Sequence, residues 1–164
     1  MLSYLSGVNI LVKIELNIRI NRRIDSSLAI SWIRQIVEKA LSVSGFESPL
    51  ELSVIITSDE VIRKLNKKYR GLNETTDVLS FALTENTVES VPFIAPPDGI
   101  THLGAVAISY PQAKKQAEQG EHSLEKEIAL LLTHGVLHLV GYDHDKPQLE
   151  KKMRLLESVL LQEL

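Results

Sequence analysis

Residues 127–145 read EIALLLTHGVLHLVGYDHD, and the fold is most readily built outward from them. His134 and His138 stand four apart in an apolar run, so a helix places both imidazoles on one face, one turn apart. Gly141 follows three residues after His138, where a helix stops through a left-handed residue. The chain can then turn back and bring His144 beside the other two. This H-x-x-x-H-x-x-G-x-x-H frame is shared with metzincin-type metal signatures. Three neutral imidazoles with a fourth position open describe a catalytic zinc centre rather than a closed structural one. The competing reading makes the histidines polar punctuation on a buried helix; the third histidine and the placed glycine weigh against it.

One departure bears on the chemistry. In the metalloprotease form a glutamate directly follows the first histidine and serves as general base. Here that position is Gly135, so a metal cage is expected without the peptidase base. Glu127 lies two turns before His134 on the same face, where it could orient a ligand or act on water, or simply favour the helix dipole. Asp143 and Asp145 flank His144 and read equally as ring-holding or turn residues.

Upstream, Val8 to Ile20 alternates apolar and polar residues as a half-buried strand does. Asp25 or Ser26 is expected to cap a helix to about Ser42, with Leu28, Ile33, Ile36, Val37 and Ala40 inward and Gly45 at its end. Leu50–Thr57 is a second strand. Thr57-Ser58-Asp59-Glu60 has capping-box spacing and opens a helix through Tyr69, stopped by Gly71. Asp77–Leu83 and His102–Ser109 are two further strands, separated by a proline-containing stretch read as a long loop. Ser109 caps a short helix with Pro111 in its first turn, ending at Gly120, and Ser123 starts the histidine helix. A last helix follows Pro147, with Leu149, Met153, Leu156, Val159 and Leu160 as its buried stripe. The order βαβα-ββ-ααα predicts a single domain over 1–164 of the α+β (α/β-like) class. It would have a roughly four-stranded sheet covered by helices and a central metal-binding helix.

The bulk properties agree with one ordinary globular domain: 164 residues, 44% apolar and 24% charged. The absence of cysteine removes disulfides, thiolate metal ligands and a cysteine nucleophile, and fits a cytoplasmic protein. Residues 1–20 are broken by Lys13, Glu15 and Arg19 and read as neither signal peptide nor membrane span. A net charge of −3 argues against coating nucleic acid with the whole surface, yet charge is uneven. From Val61 to Leu72 stand Arg63, Lys64, Lys67, Lys68 and Arg70, and no acidic residue. Lysines there read first as a solvated face. Arg70, just before a glycine and a polar loop, could clamp a phosphate bidentately.

HGVLHLVGYDH at 134–144, YRGLNETTDVLSF at 69–81 and LGAVAIS at 103–109 together resemble the YbeY family of bacterial endoribonucleases, in order and over nearly the whole chain. The resemblance implies a zinc-binding enzyme, one ion per chain, that cleaves single-stranded RNA. It would act in maturing the 3′ end of 16S ribosomal RNA and in ribosome quality control. By the same resemblance the metal ligands are His134, His138 and His144, the required arginine is Arg70, and Arg70, His134 and His138 are the catalytic set. Lys67, Lys68 and Arg70 would contact RNA. The expected partners are ribosomal RNA precursor and the ribosome or its proteins, with no DNA and no membrane. One departure stands out: the family's strand motif reads L-G-D-I, and Ala105 occupies the aspartate's place.

The function expected from this is a zinc-dependent endoribonuclease. Two rivals are a metallopeptidase with a displaced base such as Glu127, and a non-catalytic ribosome assembly factor with structural zinc. Peptide turnover without RNA turnover would mark the first. The second predicts ribosome association that survives replacement of the histidines, and it lacks a comfortable fourth protein ligand.

Overall fold

Alternation from Ile14 to Ile20 builds the first strand, β1 (Ile14–Ile20), with Leu16 buried and Asn17 and Arg19 exposed. The structure, a computed structural model, describes residues 13–24, 26–46, 49–83, 99–142 and 146–162. The expected strand residues 8–12 and most of the proline-containing stretch, 84–98, lie outside them. So do Asp25, Asp143, His144 and Asp145.

The chain continues through α1 (Ile30–Ser44), β2 (Leu50–Thr57), α2 (Asp59–Arg70), β3 (Val78–Ala82), β4 (Thr101–Ser109), α3 (Tyr110–Gln119), α4 (Leu124–Leu139) and α5 (Pro147–Gln162). This is the α+β order expected. The sheet runs β1-β2-β4-β3: the first three strands are parallel and β3 pairs antiparallel with β4 at the edge. β2 is a central strand covered on both faces, which explains its nearly unbroken apolar run, VIIT.

The two faces are unequal. On one, Leu52, Val54, Ile56, Val106 and Ile108 join Ile33 and Val37 of α1 and Leu132 and Val136 of α4 in the main core. On the other, Ile62 of α2 covers Leu79 and Ala107 in a small cluster edged by Ile55, Leu65 and Phe81. Helix α4 packs against α1, α3, α5, β3 and β4. A helix apolar on nearly all sides is stable only when surrounded, and this one is.

Several sequence signals act as read. Ser109 and Ser123 accept hydrogen bonds from the Gln112 and Lys126 amides at 3.2 and 3.1 Å, capping α3 and α4. Gly45 and Gly71 end α1 and α2 in left-handed conformation.

Other readings need correction. α1 starts at Ile30 behind Ala29, with no side-chain cap. The Ser26 hydroxyl instead accepts from the Leu28 amide, a local turn that spends it before the helix begins. The capping box from Thr57 does not form, since Ser58 is the N-cap and makes no side-chain bond. Thr57 accepts from Asn21 at 3.2 Å and Glu60 pairs with Lys64 at 2.7 Å, so both ends of the box have other partners. In α5, Met153 and Leu160 are buried but Val159 is exposed. The helix meets α4 and α1 along one seam, and Val159 lies beside it.

Candidate active site

Helix α4 owes its sharp end to Gly141. Gly141, at φ 101°, donates to the His138 carbonyl at 3.1 Å, and Tyr142 donates to the Leu137 carbonyl at 3.0 Å. These paired bonds are a Schellman closure, which satisfies the last carbonyls and turns the chain back. The stop expected from the sequence is therefore where it was read, and it leads into residues 143–145.

One turn before that stop, His134 and His138 are half-buried, with ring centroids 4.6 Å apart and edge-to-face. Their Nε2 atoms approach to 3.1 Å. Two unprotonated ring nitrogens repel at that distance, so the pair must share one proton or face one cation. For zinc with nitrogen ligands at 2.0–2.1 Å, the edge of a tetrahedron is about 3.3 Å. The two imidazoles thus fit as neighbouring ligands. Among the described residues no three His, Cys, Asp or Glu side chains gather in metal-holding geometry; His144, the third expected ligand, is outside them.

Position 135 explains the absent glutamate. A Cβ built on Gly135 would stand 2.6 Å from Val106 Cγ1 and 3.2 Å from Ser80 Oγ. The residue faces the sheet, not the imidazole side, and the close packing of α4 on β3 and β4 depends on its lacking a side chain.

Glu127 is buried at 5% exposure and its carboxylate lies 3.0 Å from His122 Nε2, in the turn between α3 and α4. Burial raises its pKa above the ordinary value near 4.5, nearby Asp77 adds to the rise, and His122 opposes it. Its described partner is thus His122 rather than a histidine of α4.

Arg70 reaches the same helix through the edge strand. Its Nη2 donates to the Ser80 carbonyl at 3.2 Å, and the Ser80 hydroxyl donates to the Gly135 carbonyl at 3.3 Å. Ser80 thereby ties the arginine to the residue next to His134. The loop behind Arg70 is held by Asn66 Nδ2 donating to the Glu74 carbonyl at 3.0 Å and by Thr75 on Asp59 at 3.3 Å. The Ser80 bond uses one of five guanidinium N–H groups. Lys67, Lys68 and Arg70 are exposed along the last turn of α2. Lys68 Nζ stands 5.0 Å over the Tyr69 ring, and Tyr69 packs on Phe81 at 5.1 Å.

Ala105 pairs with Phe81 and Ser53, so it sits on the α2 face, opposite α4. A side chain there points away from the histidines.

Two residues of this region were not singled out from sequence. Ser80 is a polar residue on the inner alternation of an apolar strand. Glu157 lies in α5 with Oε1 3.0 Å from His134 Nδ1; its signal was an acid in register with Met153 and Leu160.

A parallel-strand core with one antiparallel edge, a histidine pair on the central helix and an arginine tied in from the edge strand define a class of α+β proteins with a compact polar centre beside a basic helix. The family described as Endoribonuclease YbeY matches residues 15–164, and the chain belongs to that family. It is 40% identical over 154 residues to an Endoribonuclease YbeY of Dehalococcoides mccartyi, covering 92% of this chain and 90% of that one. Against a Roseiflexus protein of the same name the identity is 41% over 142 residues, covering 86% and 84%. Against one from Bacillus cytotoxicus it is 44% over 124 residues, covering 76% and 79%. The solution structure of TM1509 from Thermotoga maritima has the same fold, with a TM-score of 0.58 at 23% identity over 90% of this chain and 87% of that one. No helix among the described residues is long and apolar enough to cross a membrane.

Proposed function

We propose that this protein is a zinc-dependent endoribonuclease that cleaves single-stranded RNA, with ribosomal RNA precursor as its substrate and the ribosome as its setting. Maturation of the 3′ end of 16S ribosomal RNA and ribosome quality control are the roles this reading gives it. The observation that carries it, beside family membership, is the convergence of His134 and His138 Nε2 at 3.1 Å on a helix to which Arg70 is tied through Ser80.

His134, His138 and His144 would hold the ion. Bound there, zinc supplies Lewis acidity toward a phosphoryl oxygen and lowers the pKa of water toward about 7. The chain's own residues supply the rest. Arg70 offers a planar fork of N–H donors matched to phosphate oxygens and stabilises the charge that builds on phosphorus. Lys67 and Lys68 attract the backbone by charge without reading sequence. Ser80 keeps the guanidinium and the histidine helix in fixed relation.

The test is purified protein of measured metal content, challenged with ribosomal RNA precursor with and without chelator. About one zinc per chain and cleavage lost on chelation are expected, with His138→Ala losing most of the zinc. Full zinc occupancy in that variant would move the site elsewhere.

A further inference from the structure

Helix α5 places an acid, Glu157, between two residues that it turns inward. Met153 is fully buried and Leu160 nearly so. Glu157 lies between them, four residues after the first and three before the second, with its side chain only 16% exposed. Placing a carboxylate on such a stripe costs free energy unless a donor receives it. The donor is His134, whose Nδ1 is 3.0 Å from Oε1. An ionised carboxylate only accepts hydrogen bonds, so the proton in this contact sits on Nδ1. That choice leaves His134 Nε2 with its lone pair, on the side of the ring that approaches His138 Nε2 at 3.1 Å.

We infer that Glu157 is the positioning residue of the centre: from α5 it fixes the tautomer and ring angle of His134, so that Nε2 is presented as a ligand. The inference rests on the zinc reading for its consequence, but not for its geometry. Carboxylate partners of this kind hold the ring of a metal-bound histidine and raise its basicity, and losing one costs about 10–100-fold in metal affinity. The arrangement also gives α5 a purpose beyond covering the core. It ties α5 to α4 through a side-chain contact, Glu157 on His134, as well as through apolar packing.

Two measurements on the full chain test this. Zinc affinity is read by competition with a chromophoric chelator for the parent, Glu157→Gln and Glu157→Ala. The alanine variant is expected to bind about 10–100-fold more weakly. The glutamine variant should fall between the two, because its amide oxygen still accepts from Nδ1 while the charge is gone. Equal affinity in all three would overturn the inference and leave the zinc reading standing. The second measurement is nitrogen NMR of the histidines in metal-free protein. His134 is expected as the Nδ1–H tautomer in the parent and in Glu157→Gln, and as a mixture in Glu157→Ala. An Nε2–H tautomer in the parent would overturn the inference whatever zinc does. No zinc uptake by a parent whose His134 is in the Nδ1–H form would instead overturn the metal reading and uphold the orientation. Circular dichroism on each variant, with the isosteric glutamine as the conservative change, keeps misfolding from standing in for either result.

Discussion

A single methyl group at position 135 measures how tightly the histidine helix is pressed onto the sheet. In an open helix, Gly→Ala is favourable by about 1 kcal/mol. Here the new Cβ meets Val106 Cγ1 at 2.6 Å, and Val106 is fully buried with nowhere to retreat. Overpacking of this kind costs about 1–3 kcal/mol, so it wins. Gly135→Ala is expected to lower the melting temperature by several degrees, and Gly135→Glu by more, since it also drives a charge into apolar surroundings. A stabilised Gly135→Ala protein would show that α4 can lift from β4 freely. Glu127 is a second single-residue probe, through pH. Its pKa is raised by burial, reinforced by Asp77 and opposed by His122. A group whose folded pKa is raised contributes stability that is full below its unfolded pKa and lost as pH rises through the folded one. The parent should therefore lose that contribution from near 4.5 upward, while Glu127→Gln keeps it. Urea midpoints across the acid-to-neutral range should show the stability of the glutamine variant relative to the parent rising with pH. A constant difference would mean the His122 pairing cancels the burial.

At the scale of elements, α2 separates two kinds of basic residue. Arg70 is tied to Ser80, whereas Lys67 and Lys68 are exposed on the same turn. Arg70→Ala is expected to cut RNA turnover far more than it lowers stability, which an exposed site shifts by less than about 0.5 kcal/mol. Replacing Lys67 and Lys68 should mainly weaken RNA binding and flatten its salt dependence. Equal, small effects from all three would make Arg70 one more surface charge. The same contrast marks what the sequence could disclose. Ser109, Ser123, Gly71 and Gly141 were legible because a cap or stop is decided by bonds within a few residues. Ser26 misled because an equally local partner, the Leu28 amide, took its hydroxyl, and Thr57 because Asn21, 36 residues away, took its. Glu157 and Ser80 act across 23 and 55 residues of chain, and only packing brings such partners together. The histidine spacing announced a site; its supports came from elements folded onto it. Ala105, which stood out as a departure, proves to lie on the face away from α4, apart from the histidine pair.

For the whole molecule the open question is where the attacking oxygen loses its proton. Gly135 faces the sheet, the Glu127 carboxylate lies against His122, and Glu157 holds His134 Nδ1. Glu127 and Glu157 therefore each have another partner. RNA carries its own nucleophile in the 2′-hydroxyl, which DNA lacks. In internal attack the 2′-oxygen bonds to phosphorus, the P–O5′ bond breaks, and the proton given up at the 2′-oxygen is balanced by one gained at the departing 5′-oxygen. The products are a 2′,3′-cyclic phosphate and a 5′-hydroxyl. Such a path asks the protein mainly for charge stabilisation and alignment, the roles proposed above for Arg70 and the metal-holding histidines. A 2′-deoxy substitution at the cleaved nucleotide is expected to block the reaction, with cyclic phosphate as the end group on the unmodified RNA. Glu127→Gln should slow cleavage far less than His138→Ala does. Efficient cutting of the 2′-deoxy substrate, with a plain terminal phosphate on one product, would make water the nucleophile. Glu127 would then be the first carboxylate to test as its base, released from His122 when substrate is bound.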